Sequence, residues 1–170
     1  MRNHKLRQAG FTLIELLLYV ALVSVILFAS TMTATLAIEA RVKSQTVMLV
    51  EQQGSAAMSY ITGTLRNATS TALANGASAS SITLVMANAT LNPTVINLSG
   101  TTLQTREGVA TAVALNGGQV QASSLTFTNL TVGGSTQSIR VSFTLTRTNP
   151  NNQNRYDYSK TFVSTATIRI

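Results

Sequence analysis

Cysteine is absent from this 170-residue chain, which excludes a disulfide framework, a thiolate metal site and a thiol nucleophile. Histidine occurs once, as His4, and the acids are Glu15, Glu39, Glu51, Glu107 and Asp157. Catalysis usually needs a tuned general base, a metal, or a nucleophile beside an activating partner. Almost none of that inventory exists here, so the chain is expected to be no enzyme, with no catalytic residue assigned. Beyond residue 77 only Glu107 and Asp157 carry carboxylates. A calcium site, which demands several oxygen ligands, is hard to build from two. No glycine-rich stretch precedes a helix in a phosphate-binding arrangement. No cofactor, metal or small-molecule substrate is implied.

Charge is scarce as well. Charged residues make up 10% of the chain against 45% hydrophobic, with a mean hydropathy of +0.24. A typical soluble domain is about a quarter charged, so part of this chain is expected in a membrane or against copies of itself. The net charge of +7 is unevenly placed: Arg2, Lys5 and Arg7 lie in the first ten positions, with no acid beside them. Without those three, nine basic residues face five acids. A nucleic-acid reading based on net charge starts out weak.

The long hydrophobic run is residues 11–28, FTLIELLLYVALVSVILF, 18 residues in which Glu15 is the single charge. As a helix it spans about 27 Å, the hydrocarbon thickness of a bilayer, and low polarity continues to residue 38. Basic residues precede the run, while Arg41 and Lys43 follow it with Glu39 among them. That bias favours a cytoplasmic N-terminus and an exported remainder. A removable secretory signal is the competing reading, with residues 35–37 as its cleavage site. Such signals have a shorter apolar core, and a carboxylate inside the run costs about 2.5–3.5 kcal/mol at a membrane centre.

Gln8-Ala9-Gly10 followed by Phe11-Thr12-Leu13-Ile14-Glu15-Leu16 resembles the type IV prepilin motif, found in pilins and in pseudopilins of type II secretion. The resemblance covers about 30 residues. It implies cleavage between Gly10 and Phe11 by a membrane prepilin peptidase, then N-methylation of Phe11. It also gives Glu15 a role: registering subunits by pairing with the Phe11 ammonium of a neighbour inside an apolar filament core. The alternative for Glu15 is a carboxylate that snorkels to the interface. Implied partners are prepilin peptidase, other pilin or pseudopilin subunits and cytoplasmic membrane lipid. Residues 30–35, with three threonines and a serine, form a weak helix segment. That segment is expected to loosen on polymerisation.

Residues 39–76 read as a helical continuation. Met58, Ile61, Leu65, Ala68 and Ala72 fall on one face, Gly54 is a candidate break, and Asn75-Gly76 is a stop signal. From residue 77 the texture is Thr, Ser, Asn and Gly with period-two alternation. Ile82-Leu84-Met86, Leu125-Phe127, Ile139-Val141-Phe143-Leu145 and Phe162-Ala166-Ile168-Ile170 read as strands. Gly117-Gly118, Gly133-Gly134 and residues 149–154 read as turns or loops. The expected fold is α+β: an antiparallel sheet of roughly five to seven strands with the long helix across one face. That matches the pilin fold implied by the N-terminus. Residues 58–68 and 162–169 further resemble the larger minor pseudopilins and minor pilins of the J and W types, although the paired C-terminal cysteines of many pilins are missing.

The expected organisation is a leader at 1–10, a transmembrane and filament-core helix at 11–38, an amphipathic continuation at 39–76 and an exported β-rich head at 77–170. The chain is expected to wait in the bacterial cytoplasmic membrane with its N-terminus inside, then join a filament outside it. Two alternatives come from other classes. One is a secreted β-rich adhesin with a conventional signal. The other is a DNA-uptake subunit acting through Arg140, Arg147, Arg155, Lys160 and Arg169, interleaved with Tyr156, Tyr158 and Phe162. Asp157 reads as a turn residue or a partner for Arg155 or Lys160.

Overall fold

The computed structural model describes residues 11–133 and 136–168. The leader at 1–10, Gly134 of the expected Gly-Gly turn, Arg169 and Ile170 lie outside the described residues. One helix, α1 (Leu13–Asn67), is followed by nine strands: β1 (Ala68–Thr71), β2 (Ser78–Ala79), β3 (Ile82–Met86), β4 (Thr94–Ser99), β5 (Thr102–Glu107), β6 (Val113–Ala114), β7 (Val120–Asn129), β8 (Ser138–Arg147) and β9 (Ser159–Thr167). The chain divides into two compact units, one through Arg41 and one from Val42.

In the first unit α1 is apolar on every side. Its large side chains from Leu13 to Ile38, including Leu17, Leu22, Ile26 and Phe28, are exposed. An all-round apolar helix belongs in a membrane or among other helices. The weak segment is helical here: Thr31 donates to the Phe28 carbonyl at 2.9 Å, and Thr35 to that of Met32 at 2.8 Å. Such back-bonding satisfies each hydroxyl inside its own helix.

The second unit builds one core from the rest of α1 and two antiparallel sheets, in the orders β1-β3-β4-β5-β6 and β2-β7-β8-β9. A fold of helix against antiparallel strands is as expected, but the single sheet is corrected to two. The missing sheet comes from the hairpin β4–β5. It turns on Gly100, whose φ of +60° opens the tight two-residue turn between Ser99 and Thr102. Its inward positions include Thr94 and Thr105 as well as Ile96 and Leu103, so apolar alternation is faint. The clearer strands behave as their pattern predicts: Ile139, Val141, Phe143 and Leu145 are all fully buried. In β7 a bulge between Ser123 and Thr126 brings both Ala122 and Leu125 inward, with Ser124 at φ 54°.

The helix ends at Asn67, earlier than the expected stop. Thr69 and Thr71 turn their hydroxyls to the Val85 and Thr83 carbonyls of β3 at 2.9 and 3.0 Å, so strand pairing takes over from the helix. Asn75-Gly76 becomes a turn into β2 instead. The inward stripe is also shifted: Thr46, Val50, Gly54, Ala57, Ile61 and Leu65 are buried. Met58 lies at the margin, Ala68 belongs to β1, and Ala72 is exposed beyond the helix.

No break occurs at Gly54, where the helix is continuous. The residue provides close approach: a Cβ there would collide with the tip of the Phe162 ring. That ring stacks on Phe143 at 5.6 Å between centroids. Polar ties complete the packing. Buried Asn116 accepts from the Leu103 amide of β5 at 2.6 Å and donates to the Val120 carbonyl of β7 at 2.6 Å, joining the two sheets. The Gln137 side chain accepts from the Thr71 amide at 3.0 Å, a second tie.

Two helical glycines give opposite expectations. Gly63 faces open space, so Gly63→Ala should stabilise by about 0.5–1 kcal/mol through helix propensity. Gly54→Ala has the same propensity gain but overpacks the core, and should destabilise by about 1–3 kcal/mol. Thermal unfolding of the full chain in detergent micelles measures both. A Gly54→Ala variant as stable as Gly63→Ala would contradict the packing described.

Candidate functional site

The N-terminal segment enters α1 through Thr12, which is the helix cap. Its side-chain oxygen accepts from the Glu15 amide at 3.4 Å, and its carbonyl accepts from the amides of Glu15 and Leu16 at 3.1 and 3.2 Å. Thr-x-x-Glu at a helix start is the capping-box pattern, which satisfies amides left over in the first turn. Glu15 is therefore the acid of that turn, where the positive end of the helix dipole favours a carboxylate. Its side chain is exposed and makes no ion pair among the described residues. Phe11 is 72% exposed just before the helix. Gly10, the other half of the expected cleavage pair, lies outside the described residues. Thr12 was missed as a functional position, although the spacing to Glu15 signals it.

Several side chains of the basic C-terminal third are engaged within the fold. Arg140 is exposed on β8, and Lys160 binds Glu51 at 2.5 Å. Phe162 is buried against Phe143, and Tyr158 donates to Glu51 at 3.1 Å, which leaves neither as a free stacking platform. Arg169 lies outside the described residues. Of the two readings of Asp157, the turn residue holds, since it closes the short turn at Asn154–Tyr156, and the pairing with Arg155 or Lys160 is corrected. Lys160 is held by Glu51 from the helix, Arg155 donates to the Gln153 side chain at 2.8 Å, and Asp157 offers its backbone carbonyl to Lys43.

Two polar contacts secure the flanks of the helix. The Lys160 ammonium hydrogen-bonds the Glu51 carboxylate and holds its pKa below the ordinary carboxylate value, while Glu51 raises that of Lys160. On the other flank the Tyr60 hydroxyl donates to Glu107 at 2.6 Å. Burial first, then the Glu107 carboxylate, raise the tyrosine pKa.

At the N-terminus, the sequence around the capped turn matches a known signature. The family model for the prokaryotic N-terminal methylation motif covers residues 5–31. That N-terminal motif is the one type IV pilin-like proteins carry. The match spans the second half of the leader, Phe11, Glu15 and the exposed apolar helix as far as Thr31, and indicates processing by prepilin peptidase. No curated protein and no solved structure matches the chain. The motif points to a structural protein, and the apolar helix fits an anchor in the inner membrane.

The Glu51–Lys160 pair sets a pH window. The depressed carboxyl contributes stability above its ordinary pKa and loses it as pH falls through the lowered value. The elevated ammonium contributes below its ordinary pKa and loses it as pH rises through the raised value. Glu51→Gln should therefore lower the unfolding midpoint near neutral pH, with the gap to the parent closing at both extremes. Circular dichroism melts across pH measure this, and a gap independent of pH would contradict the pairing.

Proposed function

We propose that this chain is a structural subunit of a type IV pilus-like filament, assembled through its N-terminal helix. The observation that supports the reading is the exposed apolar helix from Leu13 to Ile38, which carries most of a methylation motif matched at residues 5–31 and is interrupted by one carboxylate. In this reading prepilin peptidase cuts between Gly10 and Phe11, and the new Phe11 amine is methylated. Methylation preserves its positive charge. The subunit waits in the cytoplasmic membrane with residues 1–10 facing inward before cleavage. Residues 11–38 serve as membrane span and then filament core, while the part from residue 77 forms the exported head.

Glu15 acts between subunits. A carboxylate or an ammonium alone in an apolar core carries a severe desolvation cost, which a close opposite charge offsets. The pairing of Glu15 with a neighbour's Phe11 ammonium is satisfied at one axial stagger, so it fixes register as well as offsetting the cost. Within one chain Glu15 already serves the helix cap through its position in the first turn. Its carboxylate remains exposed for the neighbour.

Glu15→Leu tests the assignment. The variant should insert in the membrane and lose its leader as the parent does, because the cleavage pair is untouched. Filaments sheared from the cell surface should fall at least tenfold by immunoblot. Glu15→Leu filaments at parental yield would remove Glu15 from assembly.

A further inference from the structure

The two sheets of the second unit end on edges that are short or capped, with one exception. Strands β2 and β6 are two residues each. The edge of β1 is capped by the Gln137 side chain, which accepts from the Thr71 amide at 3.0 Å and donates to the Thr71 carbonyl at 3.5 Å. Strand β9 differs: nine residues long, it ends the order β2-β7-β8-β9 and pairs with β8 without a bulge. At its two ends the Arg147 amide donates to the Tyr158 carbonyl at 2.9 Å, and the Ile168 amide to that of Gln137 at 2.8 Å. By antiparallel alternation the even-numbered residues between them bond β8. Ser159, Thr161, Val163, Thr165 and Thr167 therefore point their amides and carbonyls outward, and those groups have no backbone partner among the described residues.

Native proteins blunt a long edge with a charge, a proline, a bulge or a covering segment. None of these devices acts on this row among the described residues. All five residues are exposed and uncharged, with Val163 at 60%. The one charge of the strand, Lys160, is held by Glu51 of the helix. The row is also symmetric in chemistry about Val163: Thr161 and Thr165 flank it, and Ser159 and Thr167 lie at the ends. Toward β8 it already makes a ladder of hydroxyl pairs, Thr161 with Thr144 at 2.8 Å, Ser159 with Thr146 at 2.9 Å and Thr167 with Ser138 at 3.3 Å. A strand with the same row, run antiparallel, continues that ladder on the open side. It sets Ser159 beside Thr167, Thr161 beside Thr165 and Val163 beside Val163. In the alternate row Lys160 falls beside Ala166 and Phe162 beside Ser164, so no like charges meet.

We propose that the open edge of β9 pairs with β9 of a second copy of this chain, antiparallel and centred on Val163. Two four-stranded sheets then become one. Each outward pair exchanges two backbone hydrogen bonds, and the two exposed valines cover each other. The contact uses the second unit alone and stands apart from the filament reading. Under that reading the subunits of one filament share a direction and have no two-fold axis between them, so the contact joins heads of separate filaments.

Charge substitution at the centre of the pairing tests this, with sedimentation of the full chain in detergent micelles as the readout. The parent should form a concentration-dependent dimer. Val163→Lys and Val163→Glu each set like charges opposite one another, and each should raise the dimer dissociation constant at least tenfold. Position 163 is exposed, so both variants should keep the parent's circular dichroism spectrum. An equimolar mixture of the two should recover the dimer, because a two-fold contact centred there sets residue 163 of one copy against residue 163 of the other. Thr165→Pro removes an outward amide that the single copy does not use, and should also lose the dimer. Val109→Lys, on an exposed loop after β5, should dimerise like the parent. The proposal is overturned if the parent stays monomeric, if the dimer survives Val163→Lys, if the mixture fails to recover it, or if Val109→Lys weakens it equally.

Discussion

Everything in this molecule follows from an apolar helix that its own chain does not cover. From Phe11 to Ile38 the large side chains are exposed, among them Leu13 at 82% and Ile14 at 76%. Burying one such side chain is worth about 1.5–3 kcal/mol, so this surface in water would cost on the order of 25 kcal/mol. That exceeds the ~5–15 kcal/mol by which a domain is stable. The helix therefore requires a bilayer or other apolar helices, and under the proposed function it uses both in turn, as anchor before assembly and core after it. The single carboxylate at Glu15 lies in the first turn, at the positive end of the helix dipole, and in an apolar setting it needs an opposite charge beside it.

The second unit solves the opposite problem, with a core of its own. The buried stripe of α1 is made mostly of small residues, and Gly54 lets the Phe162 ring lie directly on the helix. The sheets are joined by side-chain amides, Asn116 and Gln137, whose hydrogen bonds replace a continuous strand ladder. The exposed Glu51–Lys160 pair and the Tyr60–Glu107 contact locate the helix flanks; burial of the apolar stripe supplies most of the stabilisation. Few charges are used: Glu51 and Lys160 pair and Glu107 accepts from Tyr60, while Arg66, Arg106 and Arg140 are exposed.

Legibility in the sequence followed the range of the interaction. The N-terminal motif, the apolar span and the strand Ile139-Val141-Phe143-Leu145 are local patterns, and the structure has the helix and strand where they predict. The second sheet was hidden because the inward positions of β4 and β5 hold Thr94 and Thr105 beside Ile96 and Leu103, and the strands pair across a two-residue turn. The helix end at Asn67 was hidden because a threonine run pairs with β3, a contact that no local signal reports. Gly54 read as a break because its purpose depends on Phe162, over one hundred positions away. Lys160 finding Glu51 and Arg147 finding Gln119 are of the same long-range kind. Thr12 is the exception: its capping spacing to Glu15 is local and was legible all along.

The account rests on how the N-terminus is processed. The most direct test is the mass-spectrometric N-terminus of the mature protein, taken from cells with and without prepilin peptidase. The account predicts a mature chain that begins at methylated Phe11 and keeps its leader when the peptidase is missing. A mature chain beginning near Ile38, unchanged by loss of that enzyme, would contradict it: the apolar helix would be a discarded signal, and Glu15 would take no part in assembly.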